Sequence, residues 1–138
     1  MLRKSILVIA DQHSPYHHPD TLDFLDAIRR KYKPDCIVNI GDELDWHSIS
    51  FHDKHPGLYA ASDELKTARQ FFVKLHKMFP KMYLLDSNHG SLVFRKATRH
   101  GLPHEVFKTY NEMLGVGPGW TWHEDLILKA SNGQQIYF

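Results

Sequence analysis

At 138 residues, with 42% hydrophobic and 24% charged side chains, the chain has the size and composition of one globular domain able to bury its own core. Seventeen basic and sixteen acidic residues leave a formal net charge of +1, which excludes a bulk electrostatic pull toward nucleic acid or anionic membrane. The single cysteine, Cys36, excludes an internal disulfide, and no apolar run approaches the roughly 18 residues of a spanning helix, so the expected setting is the cytoplasm.

Ser5-Ile6-Leu7-Val8-Ile9-Ala10 is a continuous run of branched apolar residues and predicts a strand buried on both faces, as in a parallel sheet. Turn residues Asp11 to Pro15 follow. Pro19-Asp20 opens a helix in which Leu22, Leu25 and Ile28 recur at helical spacing; Arg29-Arg30-Lys31 suits its C-terminus and Pro34 stops it. Cys36 to Ile40 predicts a second buried strand closed by Gly41, which completes a right-handed βαβ unit. An aromatic loop spans 46–59. Ser62 is the expected N-cap of a helix over 62–79, with Leu65, Ala68, Phe72 and Leu75 as its apolar stripe. Met82 to Leu85 predicts a third strand, and helical patterns follow over 92–99 and 103–114, split by Gly101. Short strands are expected over 120–124, 126–130 and 135–138, with Asn132-Gly133 as a hairpin turn. The expected architecture is α/β, a mostly parallel sheet flanked by helices with a C-terminal antiparallel hairpin, in a single domain over 1–138. The last apolar strand has no polar tail, so its edge would be unprotected. It reads as a chain cut short, or one whose last strand pairs with something else.

Each of three loops directly follows a predicted buried strand and carries side chains of the kind that bind metal. They are Asp11-Gln12-His13, Gly41-Asp42-Glu43-Leu44-Asp45 and Asn88-His89. Taken singly, each is an ordinary turn. Ligands of open α/β sheets bind at the carboxyl ends of the strands, so the convergence is more specific than any one motif. Oxygen donors mixed with imidazole suit divalent manganese, iron or zinc, and no set of thiolates is present for structural zinc. Asp-x-His lets two donors in one tight loop bite one ion. Gly41 lets the backbone approach closely before Asp42, whose two carboxylate oxygens can each take a different ion.

At these residues the sequence resembles the calcineurin-like metallophosphoesterases. Their pattern runs Asp-x-His, Gly-Asp-x-x-Asp, Gly-Asn-His-Asp/Glu and then C-terminal histidines that include Gly-His-x-His. The likeness covers nearly the whole chain, in the same order, and implies the N-terminal part of a metallophosphoesterase α/β sandwich. It implies that Asp11 and His13 bind a first ion, Asp42 bridges two, and Asn88 binds the second. His89 would stand at the leaving-group oxygen as general acid or charge stabiliser, and Asp45 would support the site. The implied chemistry is two-metal hydrolysis, in which ions about 3.5–4 Å apart clamp the phosphoryl oxygens and acidify a bridging water. Manganese is the foremost metal, with iron, zinc or nickel as alternatives.

The sequence departs from the pattern in three places. Ser87 stands where the family has glycine, Gly90 stands where it has an acid, and nothing matches the C-terminal histidines. The first ion keeps Asp11, His13 and Asp42, and the second keeps Asp42 and Asn88. The expectation is one moderately held ion and a second that is weak or absent, unless another copy or a second chain supplies the remainder. The expected function is metal-dependent hydrolysis of phosphoesters, with phosphodiesters favoured and nucleic acid admitted as a partner. The alternative is a non-catalytic metal- or phosphate-binding remnant, serving as a recognition module or half of an assembly. Arg95, Lys96 and Arg99 follow Asn88-His89 closely and are the foremost residues for a phosphate-contacting patch, the plainer reading being a solvated helix face.

Overall fold

Four short strands pair in parallel, in the order 1-2-3-4, in the computed structural model, which describes residues 4–138. They are β1 (Ile6–Ile9), β2 (Cys36–Asn39), β3 (Met82–Leu85) and β4 (Trp120–His123). Apolar runs bounded by Pro34, Gly41 and Pro80 produce the first three. Gly119 is required at the entry to β4, because a Cβ there would lie 2.1 Å from the carbonyl oxygen of Pro80. A separate antiparallel hairpin, β5 (Ile127–Lys129) with β6 (Gln135–Tyr137), turns where Gly133 takes φ +86°.

The side-chain alternation of the strands sorts the core into two layers. Ile9, Ile37, Met82, Leu84 and Trp120 face the helices and pack with residues of α1 (Thr21–Tyr32), α2 (Ala61–Met78), α3 (Leu92–Arg99) and α4 (Tyr110–Leu114). Phe72, Leu75 and Leu114 are fully buried there, and the indole N–H of Trp120 donates to the carbonyl of Phe79 at 2.8 Å. Cys36 and Val38 face the other way and meet Leu128 of the hairpin, flanked by Ile6, Tyr83 and Phe138. Among the described residues, no helix is long and apolar enough to cross a membrane.

Several local expectations are corrected. β1 is not buried on both faces: it is an edge strand, and on its outer side Val8 is 46% exposed. The N-cap of α2 is Ala60 rather than Ser62, and no side chain caps that end. The pattern over 103–114 is not one helix but a 3-10 turn at His104–Val106 followed by α4. The break follows from Thr109, which stays extended and forms a capping box with Glu112, donating its backbone N–H to the Glu112 carboxylate at 2.8 Å. Residues 120–123 join the parallel sheet, so the antiparallel end consists of β5 and β6 alone. A 3-10 turn at His47–Ile49 lies within the aromatic loop.

Candidate metal centre

The loops after β1 and β2 continue the strand ladder past the ends of the strands. The backbone N–H of Asp11 donates to Gly41 at 3.2 Å, that of His13 to Asp42 at 2.9 Å, and that of Ser14 to Glu43 at 2.8 Å. Buried Asn39 ties them from below: its amide donates to Gln12 at 2.8 Å and its oxygen accepts the N–H of Gly41 at 3.0 Å. Asp11, His13 and Asp42 adopt φ of +53°, +46° and +53°, three of the five left-handed non-glycine residues described. Such backbone persists only where its surroundings over-determine it, and it clusters at functional sites.

The loop after β3 presses onto the second loop from the other side. Gly41, at φ +108°, has no room for a side chain, since a Cβ would lie 2.3 Å from that of Ser87. The Ser87 hydroxyl accepts the N–H of Asp42 at 2.9 Å and of Gly90 at 3.0 Å. The serine that departs from the family pattern is thus a pin between two site loops.

These contacts bring Asp11, His13 and Asp42 together, each offering a donor atom within 4.8 Å of the others. Nε2 of His13 stands 3.8 Å from Asp11 Oδ1, while its Nδ1 stands 2.9 Å from Asp45 Oδ1. A carboxylate accepts, so Nδ1 carries the proton and the Nε2 lone pair is left on the Asp11 side. That is the orientation a metal-binding histidine needs, with a carboxylate behind it. Asp42 Oδ1 accepts the backbone N–H of His89 at 3.0 Å, which fixes the carboxylate plane. The His89 ring stands edge-on to His13 with centroids 4.7 Å apart, and its Nδ1 rests against the carbonyl oxygen of Asp45. His13, Asp45 and His89 form a second close group, but its Nδ1 atoms are already satisfied by Asp45. Two carboxylates and one imidazole suit a divalent ion of the manganese, iron or zinc type. The donor set of Asp11, His13 and Asp42 therefore fits the expected metal.

Asn88, next to His89, is engaged by Arg95. Its side-chain oxygen accepts from Arg95 Nη2 at 3.2 Å, and its carbonyl accepts from the same nitrogen at 2.6 Å. Asp11 is the open member of the site, with its side chain 70% exposed.

Glu43, which the sequence did not mark, is fully buried behind the centre. Burial pushes its carboxyl up to about 7, against the hydrogen bond from the Tyr110 hydroxyl at 2.7 Å. A Cβ at Gly90 would meet Ser87 Oγ at 2.8 Å and Glu43 Oε1 at 3.3 Å. A side chain at position 90 would therefore displace the Ser87 hydroxyl, and Glu43 brings a carboxyl to that point from the neighbouring loop. Lying between Asp42 and Asp45 in an acidic loop, it carried no local signal of burial. Glu64 was missed in the same way: fully buried on α2, it accepts the backbone N–H groups of His47 at 2.8 Å and Ser48 at 3.0 Å, fixing the turn after Asp45. His17 packs on Phe71 with ring centroids 4.0 Å apart, and His47 Nε2 accepts the N–H of His55 at 2.9 Å, so packing accounts for both.

A family model described as calcineurin-like phosphoesterase matches residues 4–137. No curated protein matches the chain.

Proposed function

Because the chain belongs to the calcineurin-like phosphoesterase family, in which phosphoester hydrolysis depends on divalent metal, we propose that it cleaves phosphodiesters at a centre held by Asp11, His13 and Asp42. The observation that carries the reading is the approach of those three donors to within 4.8 Å of one another, from two loops with left-handed backbone. Manganese is the proposed metal, and Asp42 with Asn88 the proposed holders of a second ion. Bound divalent ions supply the positive charge that clamps phosphoryl oxygens and makes hydroxide available near neutral pH.

The chain's own residues have separate tasks in this reading. Asp45 keeps the proton on Nδ1 of His13 and so presents Nε2 to the ion. The backbone N–H of His89 holds Asp42 in place. The His89 side chain, with Nδ1 against a carbonyl, delivers a proton from Nε2 to the departing oxygen. The open side at Asp11 admits the ester.

The test is hydrolysis of bis(p-nitrophenyl) phosphate by the purified chain with manganese, beside an Asp42→Ala control and a chelator blank. Turnover lost in both controls is the expected result. Turnover that survives chelation overturns it. The engagement of Asn88 by Arg95 favours a second reading, a one-ion recognition centre without turnover. Manganese binding in calorimetry that is lost in Asp42→Ala, with no hydrolysis, would establish that reading instead.

A further inference from the structure

Phe51 is 47% exposed, and cations gather around its ring: Arg99 Cζ at 4.2 Å, Lys96 Nζ at 4.8 Å and Arg95 Cζ at 6.0 Å. All come from α3, where positions 95, 96 and 99 share one side of the helix. Among the described residues, none of these cations has a carboxylate partner within ion-pair distance; those pairs fall on α1, α2 and the loops near Asp11 and His18. Like charges held together repel, and a ring face offsets only about 0.5–1 kcal/mol of that at an exposed position. A bound anion would offset that repulsion.

The platform is built rather than incidental. Glu64 of α2 holds the turn before Phe51 by two backbone N–H groups, and Lys96 Nζ donates to the carbonyl of Ser50 at 3.1 Å. Phe51 is therefore held against α3 from both sides. The cluster also adjoins the metal centre, because Arg95 grips both oxygens of Asn88. From Arg95 to Arg99 the positive shelf extends about one helical turn, ~5.4 Å, away from the centre.

We propose that Phe51, Arg95, Lys96 and Arg99 form an anion subsite for the phosphate adjoining the scissile one, and that the substrate is a single-stranded oligonucleotide. This rests on the phosphodiesterase reading of the metal centre. The cations take the backbone phosphate and Phe51 offers a ring to the base, the pairing by which single strands are held without sequence preference. With a net charge of only +1 the chain exerts no bulk pull on a nucleic acid, so the attraction must be local, as at this shelf.

The probe is a fluorescein-labelled oligothymidylate, followed by anisotropy with the full chain in chelator across a salt series. Wild type binds with affinity that falls as salt rises. Arg99→Gln lowers the log–log salt slope by about 1, and Arg99→Lys restores it. Phe51→Ala weakens binding about fivefold or more. With manganese, the ratio of kcat/KM on the oligonucleotide to that on bis(p-nitrophenyl) phosphate falls in Arg99→Gln. A salt slope and ratio indifferent to Arg99→Gln overturn the subsite even where wild type hydrolyses bis(p-nitrophenyl) phosphate. Binding that depends on Arg99 and Phe51, with neither ester cleaved, leaves the subsite standing and sinks the reading of the centre.

Discussion

Asp45 Oδ1 lies 2.9 Å from Nδ1 of His13, and the opposite nitrogen of that ring faces Asp11 across 3.8 Å. One carboxylate thus decides which nitrogen of His13 is free, although it contributes no donor to the Asp11–His13–Asp42 group. Asp45→Asn preserves the shape but can present an N–H to the ring, reversing the tautomer. Manganese affinity by calorimetry should fall about 10- to 100-fold with the fold intact. Unchanged affinity would mean that the ring is oriented by its packing on His89 instead.

The Glu43–Tyr110 pair is buried on both sides, and each half needs the other. Tyr110→Phe strips the carboxyl of its donor and should cost about 1–3 kcal/mol in urea unfolding. Glu43→Gln retains an acceptor for the hydroxyl and removes a group that burial resists charging, so it should unfold at an equal or higher urea midpoint. A Glu43→Gln protein markedly weaker than Tyr110→Phe would contradict this account.

His17 supplies the clearest pH dependence away from the centre. Burial lowers its pKa below the usual 6.5, and its Nδ1 has no hydrogen-bond partner. Below pH 6.5 the unfolded chain takes up a proton that the folded chain resists. Stability due to this residue is therefore complete above that value and declines as the solution is acidified. Urea midpoints of wild type and His17→Phe, measured from pH 7.5 downward, should differ in slope, the variant being flatter.

Gly41 and Ser87 make a coupled pair. Gly41→Ala combines a left-handed backbone with a Cβ placed 2.3 Å from that of Ser87, and should destabilise by more than about 2 kcal/mol. Ser87→Gly relieves the collision but not the backbone strain, and it removes the acceptor for Asp42 and Gly90. The double-mutant cycle should show a favourable coupling of about 1 kcal/mol or more. Strict additivity would mean that the backbone alone carries the cost.

The sequence made legible those features whose cause is local. Ile6–Ile9 and Cys36–Asn39 announced themselves as apolar runs closed by turn residues, and Asp11, His13 and Asp42 by their position after such runs. Features set by distant partners were not legible. Tyr110 meets Glu43 across 67 positions, and Ser48 meets Glu64 across 16, so no pattern around either acid signalled burial. Asn88 was legible as a donor by type, but its engagement by Arg95 depends on a helix turning back over the loop. Ser62 failed as a cap because the chain enters helix geometry at Ala61, two residues too early for its hydroxyl to serve.

Asp11, His13 and Asp42 each hold a left-handed backbone, a conformation that costs a non-glycine residue roughly 1–2 kcal/mol. The protein is consequently less stable than its own scaffold allows, and the deficit sits on the proposed metal ligands. Glycine at position 42 would relax the loop while abolishing a donor, so selection for thermal tolerance and selection for metal binding pull that codon in opposite directions. A library screened for heat resistance alone should discard this centre before it touches the core.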